Sequence, residues 1–297
     1  MNIPRSLQAG DKIAIVATAR KISKEEIESA TTLLARWGLV GVVGASIGLQ
    51  SDQFAGTDQE RAGDFQQQMD DPEIKAIWCA RGGYGTVRMV DALDFFVFKK
   101  TPKWVIGYSD VTVLHSRIHQ LGVATLHAPM PVDVMNATNK SVESMKNVLF
   151  GKKLNYKLKS NKRNRKGFGE GVLVGGNLSM MYSMCGSTTA LDTRDKILFI
   201  EDLDEYLYHL DRMMQNLKRN GMLGQLKGLI VGSMTNMHDN TIPFGDTVEG
   251  IIMDTVRDYD YPVVFDFPAG HLQDNRALIL GVNVTLNAKD KNVLLGF

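Results

Sequence analysis

The sequence has little of several features that would narrow its function at once. Only two of its 297 residues are cysteine, too few for a disulfide framework in a chain of this size. The 34 basic and 33 acidic side chains nearly cancel, which gives no global argument for nucleic acid or an acidic partner. No uninterrupted apolar run approaches the roughly 18 residues of a membrane span. The first apolar run begins only after Asp11 and Lys12, which is not the arrangement of a signal peptide. We expect a soluble, cytoplasmic protein with no membrane partner.

The length and the pattern of the first half predict two domains, the first of them α/β. A chain of 297 residues is long for one core, given about 100–200 residues per domain. Ser23 with Glu26, and Thr57 with Glu60, form capping boxes that begin two helices. Helical patterns alternate with apolar runs that predict strands at 12–17, 39–43, 74–80, 103–108 and 123–126. We therefore expect residues 1–150 to form a mostly parallel sheet flanked by helices.

The composition changes over residues 151–171. Eight lysines and arginines precede the first acidic residue of this stretch, Glu170. A basic run can follow a phosphate backbone, but only Tyr156 and Phe168 could stack on a base here, and no nucleic-acid-binding motif accompanies them. We predict a basic linker and no nucleic-acid partner. Residues 172–297 then predict a smaller C-terminal α/β domain with more β character.

One stretch of the first domain carries a chemical signal. Residues 104–112 read as an apolar strand, then Gly-Tyr-Ser-Asp, then the start of a helix. Ser109 would lie on the tight turn, where a side chain is lifted clear of the sheet and unpaired helix N–H groups face whatever it attacks. Ser109 is therefore a candidate nucleophile. The alternative is that Ser109 is an ordinary N-cap.

Two further polar residues follow apolar strands in the second half. Glu201 comes directly after the run 197–200, and His271 lies in the loop after the run 262–265. Ligands of open α/β sheets bind beyond the carboxyl ends of strands. These residues can be joined into a nucleophile, a base and an orienting carboxylate, with His271 as the base and Glu201 as the acid. The alternative is that Glu201 and Asp202 cap a helix and that His271 packs in a loop.

The glycine pair Gly82-Gly83 follows the third strand and opens a helix. Such a turn exposes backbone N–H groups that could hold a phosphate or form an oxyanion hole. It lacks both Gly-x-Gly-x-x-Gly and Gly-Lys-Ser/Thr, which argues against a dinucleotide site and against a P-loop. We therefore expect no cofactor. In an oxyanion hole, the N–H groups of Gly83 and Asp110 would both point to one oxygen of the substrate.

His115 and His119 have the i, i+4 spacing of metal ligands on a helix. The residues between them, Ser-Arg-Ile, supply no glutamate of the His-Glu-x-x-His kind. We predict no metal site.

Six short motifs are spread over nearly the whole chain. They are Phe54-Ala55-Gly56-Thr57-Asp58-x-Glu60-Arg61, Ala80-Arg81-Gly82-Gly83-Tyr84-Gly85, Gly107-Tyr108-Ser109-Asp110-x-Thr112, Gly175-Gly176-Asn177-Leu178, Leu198-Phe199-Ile200-Glu201-Asp202 and Ala269-Gly270-His271. In order and spacing they together resemble the murein LD-carboxypeptidase family of serine peptidases, which includes microcin C immunity peptidases.

The resemblance implies a metal-independent Ser-Glu-His hydrolase with its active site between two domains, often a homodimer. Carried over to matching positions, the nucleophile is Ser109, the acid Glu201 and the base His271, with oxyanion N–H groups from Gly83 and Asp110. Family members cut the bond from an L-centre to a terminal D-residue, as in the release of D-Ala from murein tetrapeptide during peptidoglycan recycling. The expected partner is therefore a small peptide substrate.

Two alternatives remain open from the sequence. One is a microcin C-type hydrolase of peptide–nucleotide conjugates, which needs an aromatic platform for a purine. The other is a non-catalytic binding module on the same fold. The chain also departs from the family at 17–20, which reads Ala-Thr-Ala-Arg where many members have Ala-Pro-Ser, and after Glu205, where relatives often carry proline. Both departures bear on specificity more than on mechanism.

Overall fold

The computed structural model describes all 297 residues and divides into two compact units. The first unit comprises Met1–Lys153 with Gln273–Leu280, and the second comprises Leu154–Leu272 with Gly281–Phe297. The strands are β1 (Lys12–Val16), β2 (Val40–Val43), β3 (Ile74–Cys79), β4 (Trp104–Gly107), β5 (Thr125–His127), β6 (Asn155–Lys159), β7 (Gly167–Asn177), β8 (Lys196–Leu203), β9 (Gly228–Thr235), β10 (Val263–Val264), β11 (Leu278–Leu280), β12 (Asn283–Ala288) and β13 (Asn292–Gly296). The helices are α1 (Glu28–Arg36), α2 (Asp58–Asp70), α3 (Thr86–Met89), α4 (Phe96–Lys100), α5 (Thr112–Gln120), α6 (Asn139–Leu149), α7 (Leu178–Met184), α8 (Leu207–Arg219) and α9 (Val248–Thr255).

The first unit is built on a six-stranded sheet in the order β11-β5-β4-β3-β1-β2. All neighbours are parallel except β11, which runs antiparallel to β5. The central strands are buried along almost their whole length, as expected for parallel strands covered on both faces. The predicted α/β class is confirmed.

The second unit has a seven-stranded sheet in the order β10-β9-β8-β7-β12-β13-β6. Strands β7 to β10 are parallel, whereas β12, β13 and β6 continue the sheet with antiparallel pairs. The carboxyl ends of the parallel strands therefore lie along one edge, where β8 ends with Glu201 among its last residues. The antiparallel half accounts for the greater β character of this part of the chain.

The two predicted capping boxes are present. The Ser23 hydroxyl accepts from the Glu26 N–H at 3.3 Å, and the Glu26 carboxylate accepts from the Ser23 N–H at 2.8 Å. The first of these helices begins as a 3-10 turn over Glu25–Ile27 before α1. Thr57 and Glu60 make the same reciprocal bonds at the start of α2.

The basic segment 151–171 is not a solvated linker. It contains all of β6 and the beginning of β7, and β6 pairs with β13 over five residues. In β6 the buried positions alternate with exposed ones, so Tyr156 is buried while Lys157 and Lys159 point outward. A strand with one solvated face reads as polar when only its composition is considered.

The second domain is not one continuous segment, as the predicted range 172–297 implied. Residues Gln273–Leu280 belong to the first unit, where β11 pairs with β5. The apolar run over 277–282 predicts a strand from local sequence, but it does not indicate which sheet the strand joins, because that depends on the long-range pairing. In neither unit is a helix long and apolar enough to cross a membrane.

Candidate active site

Ser109 occupies a strained turn at the carboxyl end of β4. Its φ is +60°, in the left-handed region that non-glycine residues seldom adopt. Ser109 opens a 3-10 turn, Ser109–Val111, that leads directly into α5. Neither N-cap position is Ser109, since Tyr108 precedes the 3-10 turn and Val111 precedes α5. Backbone strain of about 1–3 kcal/mol at such a turn is typical of a nucleophile placed between a strand and a helix.

His115 supports this turn from below. Its Nε2 lies 3.0 Å from the backbone oxygen of Gly107, which also accepts from the Ala128 N–H at 3.2 Å. Because a carbonyl can only accept, Nε2 carries a proton. Nδ1 is buried without a hydrogen-bond partner, and burial lowers the pKa of His115 to about 4. His115 therefore holds the end of β4 two residues before Ser109.

The His115 environment predicts a pH dependence of stability. Between pH 4 and 6.5 the unfolded chain binds a proton at this histidine and the folded protein does not. The free energy of unfolding should therefore fall as pH decreases through this window, by up to about 1.4 kcal/mol per pH unit from this group. Urea unfolding at several pH values should show a flatter dependence for His115→Gln than for the wild type. Equal slopes would contradict the assignment.

The Gly82-Gly83 turn lies against Ser109 within the first unit. A Cβ built on Gly82 would lie 3.5 Å from the Cβ atoms of both Ser109 and Asp110. Gly83 has a φ of +109°, which favours glycine. Asp110 is buried, and its Oδ2 accepts from the N–H of Thr86 at 2.9 Å, at the start of α3. The Asp110 side chain thus fastens the glycine turn to the serine turn.

Glu201 and His271 form a hydrogen-bonded pair in the second unit. Glu201 is fully buried in β8, and its Oε2 lies 2.7 Å from Nδ1 of His271. A carboxylate only accepts, so Nδ1–H donates and the ring orientation is defined. The His271 side chain is 16% exposed, whereas Glu201 is 0% exposed. The carboxylate therefore acts on the imidazole in a site where water screens it little.

The neighbouring Asp202 has a structural role. Its carboxylate accepts from the Asn177 side chain and from the N–H groups of Ser179 and Leu203, each at 2.9 Å. These bonds tie β8 to the beginning of α7. Burial, reinforced by the charge of Glu201, raises the pKa of Asp202 to about 7. Helix capping, considered for the pair of acids from sequence, thus describes Asp202.

The loop that carries His271 is fastened to β9. Ser233 donates its N–H to Ala269 at 2.9 Å, and the Thr235 hydroxyl donates to the backbone oxygen of His271 at 3.3 Å. Gly270 has a φ of +113°, and a Cβ there would lie 2.4 Å from Ser233 Oγ and 2.7 Å from Glu201 Oε2. Only glycine allows this close approach, which holds His271 beside its carboxylate.

A cavity of ≈ 450 Å³ adjoins the same loop. It is lined by the carboxyl-terminal part of β9, by the start of α9 and by residues on both sides of His271, among them Pro268 and Leu272. The volume is within the range of small-molecule sites, and the lining combines an apolar floor with Ser233 and Thr235. The second unit thus offers room for a small ligand beside the loop that carries His271.

Comparison with known proteins identifies the family. Residues 13–128 match the LD-carboxypeptidase N-terminal domain, and residues 170–286 match the LD-carboxypeptidase C-terminal domain. Together these matches span most of the chain. The chain belongs to the LD-carboxypeptidase family. This makes it an enzyme of the serine-type carboxypeptidase class.

Relatives of this LD-carboxypeptidase cover almost its entire length. A probable murein peptide carboxypeptidase of Bacillus subtilis is 33% identical over 300 residues, covering 98% of this chain and 93% of the relative. The crystal structure of muramoyltetrapeptide carboxypeptidase from Oxalobacter formigenes aligns with a TM-score of 0.88 at 26% identity, covering 96% and 97% of the two chains. The microcin C7 self immunity protein MccF, solved with aspartyl sulfamoyl adenosine, has the same fold, with a TM-score of 0.88 at 23% identity over 99% and 98%.

An exposed aromatic cluster follows β8 in this LD-carboxypeptidase. The ring of Tyr206 lies 5.7 Å from that of Tyr208 and 5.5 Å from that of His238. Tyr206 and Tyr208 are 43% and 40% exposed. His238 comes from a distant segment and meets Tyr206 and Tyr208 only in the fold, so the cluster of three rings could not be predicted from the local sequence.

The structure places the predicted site residues of the LD-carboxypeptidase in two groups. Ser109, Gly83 and Asp110 belong to the first unit, and Glu201 and His271 to the second. The supporting role of His115 was not predicted from the sequence, where its spacing to His119 is that of metal ligands. No group of three or more His, Cys, Asp or Glu side chains is arranged to hold a metal ion. The role of Gly270 was likewise not predicted, although Ala269-Gly270-His271 was among the sequence motifs.

Proposed function

We propose that this LD-carboxypeptidase acts through Ser109, His271 and Glu201 as nucleophile, base and orienting acid. The observation that carries the proposal is the 2.7 Å bond between the buried Glu201 carboxylate and Nδ1 of His271. That bond fixes the tautomer and stabilises the imidazolium that forms when Nε2 takes a proton. In the proposed domain roles, the first unit supplies the nucleophile and the second supplies the acid and base.

The proposed reaction is acyl transfer in two stages. Ser109 Oγ attacks the carbonyl of the last peptide bond while His271 Nε2 takes the hydroxyl proton, giving a tetrahedral intermediate. The imidazolium then protonates the leaving amine, the C–N bond breaks and the terminal amino acid departs. Water attacks the acyl-enzyme with His271 again as base, and the ester bond to Ser109 breaks.

Two backbone N–H groups are the proposed oxyanion donors, those of Gly83 and Asp110. The packing of Gly82 against Ser109 supports this role, since it brings the glycine turn next to the Cβ of the proposed nucleophile. The fastening of Asp110 to Thr86 keeps the two turns in a fixed relation. One such donor is worth roughly 10²–10³ in kcat.

The proposed substrate is a murein tetrapeptide from which D-Ala is released, with hydrolysis of the L,D-peptide bond. The names of the Bacillus and Oxalobacter relatives support this substrate class. A cytoplasmic location, a role in peptidoglycan recycling and a homodimeric state are parts of the same proposal.

The test is amino-acid release from the tetrapeptide L-Ala-γ-D-Glu-L-Lys-D-Ala. Purified protein should release D-Ala, followed by mass, and should leave the same peptide ending in L-Ala uncut. If the folded protein released no D-Ala, the proposed substrate would be wrong. If it cleaved the L-Ala peptide equally well, the proposed preference for an L,D-peptide bond would be wrong.

A second candidate is hydrolysis of a peptide–nucleotide conjugate, as MccF suggests by its fold and its nucleoside ligand. The Tyr206, Tyr208 and His238 cluster favours it, because exposed rings can stack on a purine. Aminoacyl sulfamoyl adenosine and tetrapeptide should be offered in competition. Preferential cleavage of the nucleoside conjugate would move this function ahead, and absence of both cleavages would favour a non-catalytic binding module.

A further inference from the structure

The side chain of Arg20 lies directly over Gly83. A Cβ built on Gly83 would lie 2.2 Å from Cδ of Arg20, 2.8 Å from Cγ and 3.5 Å from Nε. The backbone around Arg20 is held on both sides, since Ala55 donates to Ala19 at 3.0 Å and Lys21 donates to Gln53 at 2.9 Å. The guanidinium group is thus carried to the glycine turn by a fixed segment.

Arg20 differs from the other arginines near this turn by its lack of a carboxylate partner. Arg61 and Arg88 both pair with Asp58, and Arg81 pairs with Glu26 at 3.1 Å. Arg20 makes no ion pair and no side-chain hydrogen bond, and it is exposed. An unpaired guanidinium beside a candidate oxyanion donor is a ready site for an anionic group of a ligand.

We propose that Arg20 binds the terminal carboxylate of the peptide substrate. The inference rests on the proposed function, in which the scissile carbonyl lies between Ser109 and the N–H of Gly83. In a carboxypeptidase substrate the free carboxylate belongs to the very next residue, so it must lie a few ångströms beyond that carbonyl. The Arg20 side chain lies against Gly83, so its unpaired guanidinium is a cation beside this donor.

The chemistry explains why the enzyme would remove a terminal residue and not cut inside a chain. Arginine presents a planar fork of N–H donors that matches the two oxygens of a carboxylate. An internal peptide bond offers a neutral amide at this position, which would leave the guanidinium without its partner. Arg20 is therefore a specificity-determining residue of the leaving-group side.

The test compares two substrates that differ only in the terminal charge. These are the tetrapeptide L-Ala-γ-D-Glu-L-Lys-D-Ala and its C-terminal amide. For Arg20→Gln, kcat/KM for the free carboxylate should fall on the order of 10- to 100-fold, the size expected for hydrogen bonds to a charged group. For the amide, kcat/KM should stay within about threefold of wild type, and Arg20→Lys should retain part of the preference.

Arg81→Gln is the matched control. It removes one positive charge near the same glycine turn, but from a guanidinium that already has a carboxylate partner. We expect it to leave the ratio of the two substrates unchanged. An unchanged ratio for Arg20→Gln, or the same change for Arg81→Gln, would overturn the proposal.

A binding measurement separates this proposal from the proposed function. Calorimetry with Ser109→Ala and with Ser109→Ala/Arg20→Gln would compare the binding of the peptide acid and the peptide amide without turnover. Tighter binding of the acid that disappears in the double variant would support Arg20 even if the wild type released no D-Ala. Equal binding of acid and amide by Ser109→Ala would overturn it even if D-Ala were released.

Discussion

Replacing Ser109 by alanine is expected to lower kcat for D-Ala release by roughly 10⁴–10⁶-fold while the protein stays folded. The proposed reaction passes through an ester of Ser109 Oγ, so removing that oxygen removes the intermediate itself. Alanine keeps the Cβ that packs near Gly82, so the turn should persist. Equal thermal unfolding and circular dichroism for the two proteins would exclude loss of structure as the cause.

The same loss is expected for His271→Ala, and a somewhat smaller one for Glu201→Ala. Without the imidazole no group takes the proton of Ser109, whereas without Glu201 the ring remains but loses its fixed tautomer. The double variant Ser109→Ala/His271→Ala should be no slower than either single variant, because the two groups act in one step. Near-normal turnover by Ser109→Ala would refute the nucleophile assignment, and multiplicative losses would refute a shared step.

Local signals in the sequence were sufficient for much of the fold. Ser23 with Glu26 and Thr57 with Glu60 set helix starts through bonds that span only three residues. The strand, turn and helix around Ser109 are likewise consecutive in the chain. Such features depend on neighbours in sequence, so the residue pattern alone predicts them.

Strand pairing between distant parts of the chain could not be predicted from these local patterns. Strand β6 is polar on its outer face and exists because β13 pairs with it, and β11 leaves its sequence neighbours to pair with β5. Neither pairing is encoded within the strand. For this reason the prediction of a linker over residues 151–171 was wrong, and so was the assignment of Gln273–Leu280 to the second domain.

In the candidate site, too, the residues themselves could be predicted from local sequence, whereas their long-range contacts could not. Ser109, Glu201 and His271 were recognised because each follows an apolar strand, and the family motifs name the same positions. The 2.7 Å pairing of Glu201 with His271 spans 70 residues, and the placement of Arg20 on Gly83 spans 63, so neither could be read from local pattern. His115 is only eight residues from Gly107, which it contacts, but its i, i+4 spacing to His119 indicates a metal-ligand pair and not this contact.

Replacing Gly270 by alanine is expected to lower kcat/KM by roughly 10²–10³-fold. The new Cβ would require space now held by Ser233 Oγ, 2.4 Å away, and Glu201 Oε2, 2.7 Å away. The φ of +113° adds strain for any residue with a Cβ. His271 follows directly in the chain, so relief of either contact moves the imidazole from its carboxylate, and a displacement of about 1 Å can cost 10²-fold.

Gly221→Ala is the matched control for this change. Gly221 also has a positive φ, +74°, in the second unit, but a Cβ there would meet nothing within 4 Å. It should reproduce the backbone strain, measured as a small loss of unfolding free energy, with activity retained. Adding Ser233→Ala to Gly270→Ala removes one of the two contacts and should restore part of the lost rate. If Gly270→Ala is no less active than Gly221→Ala, the close approach of this loop to Glu201 does not position His271, and the pair must be held by other contacts.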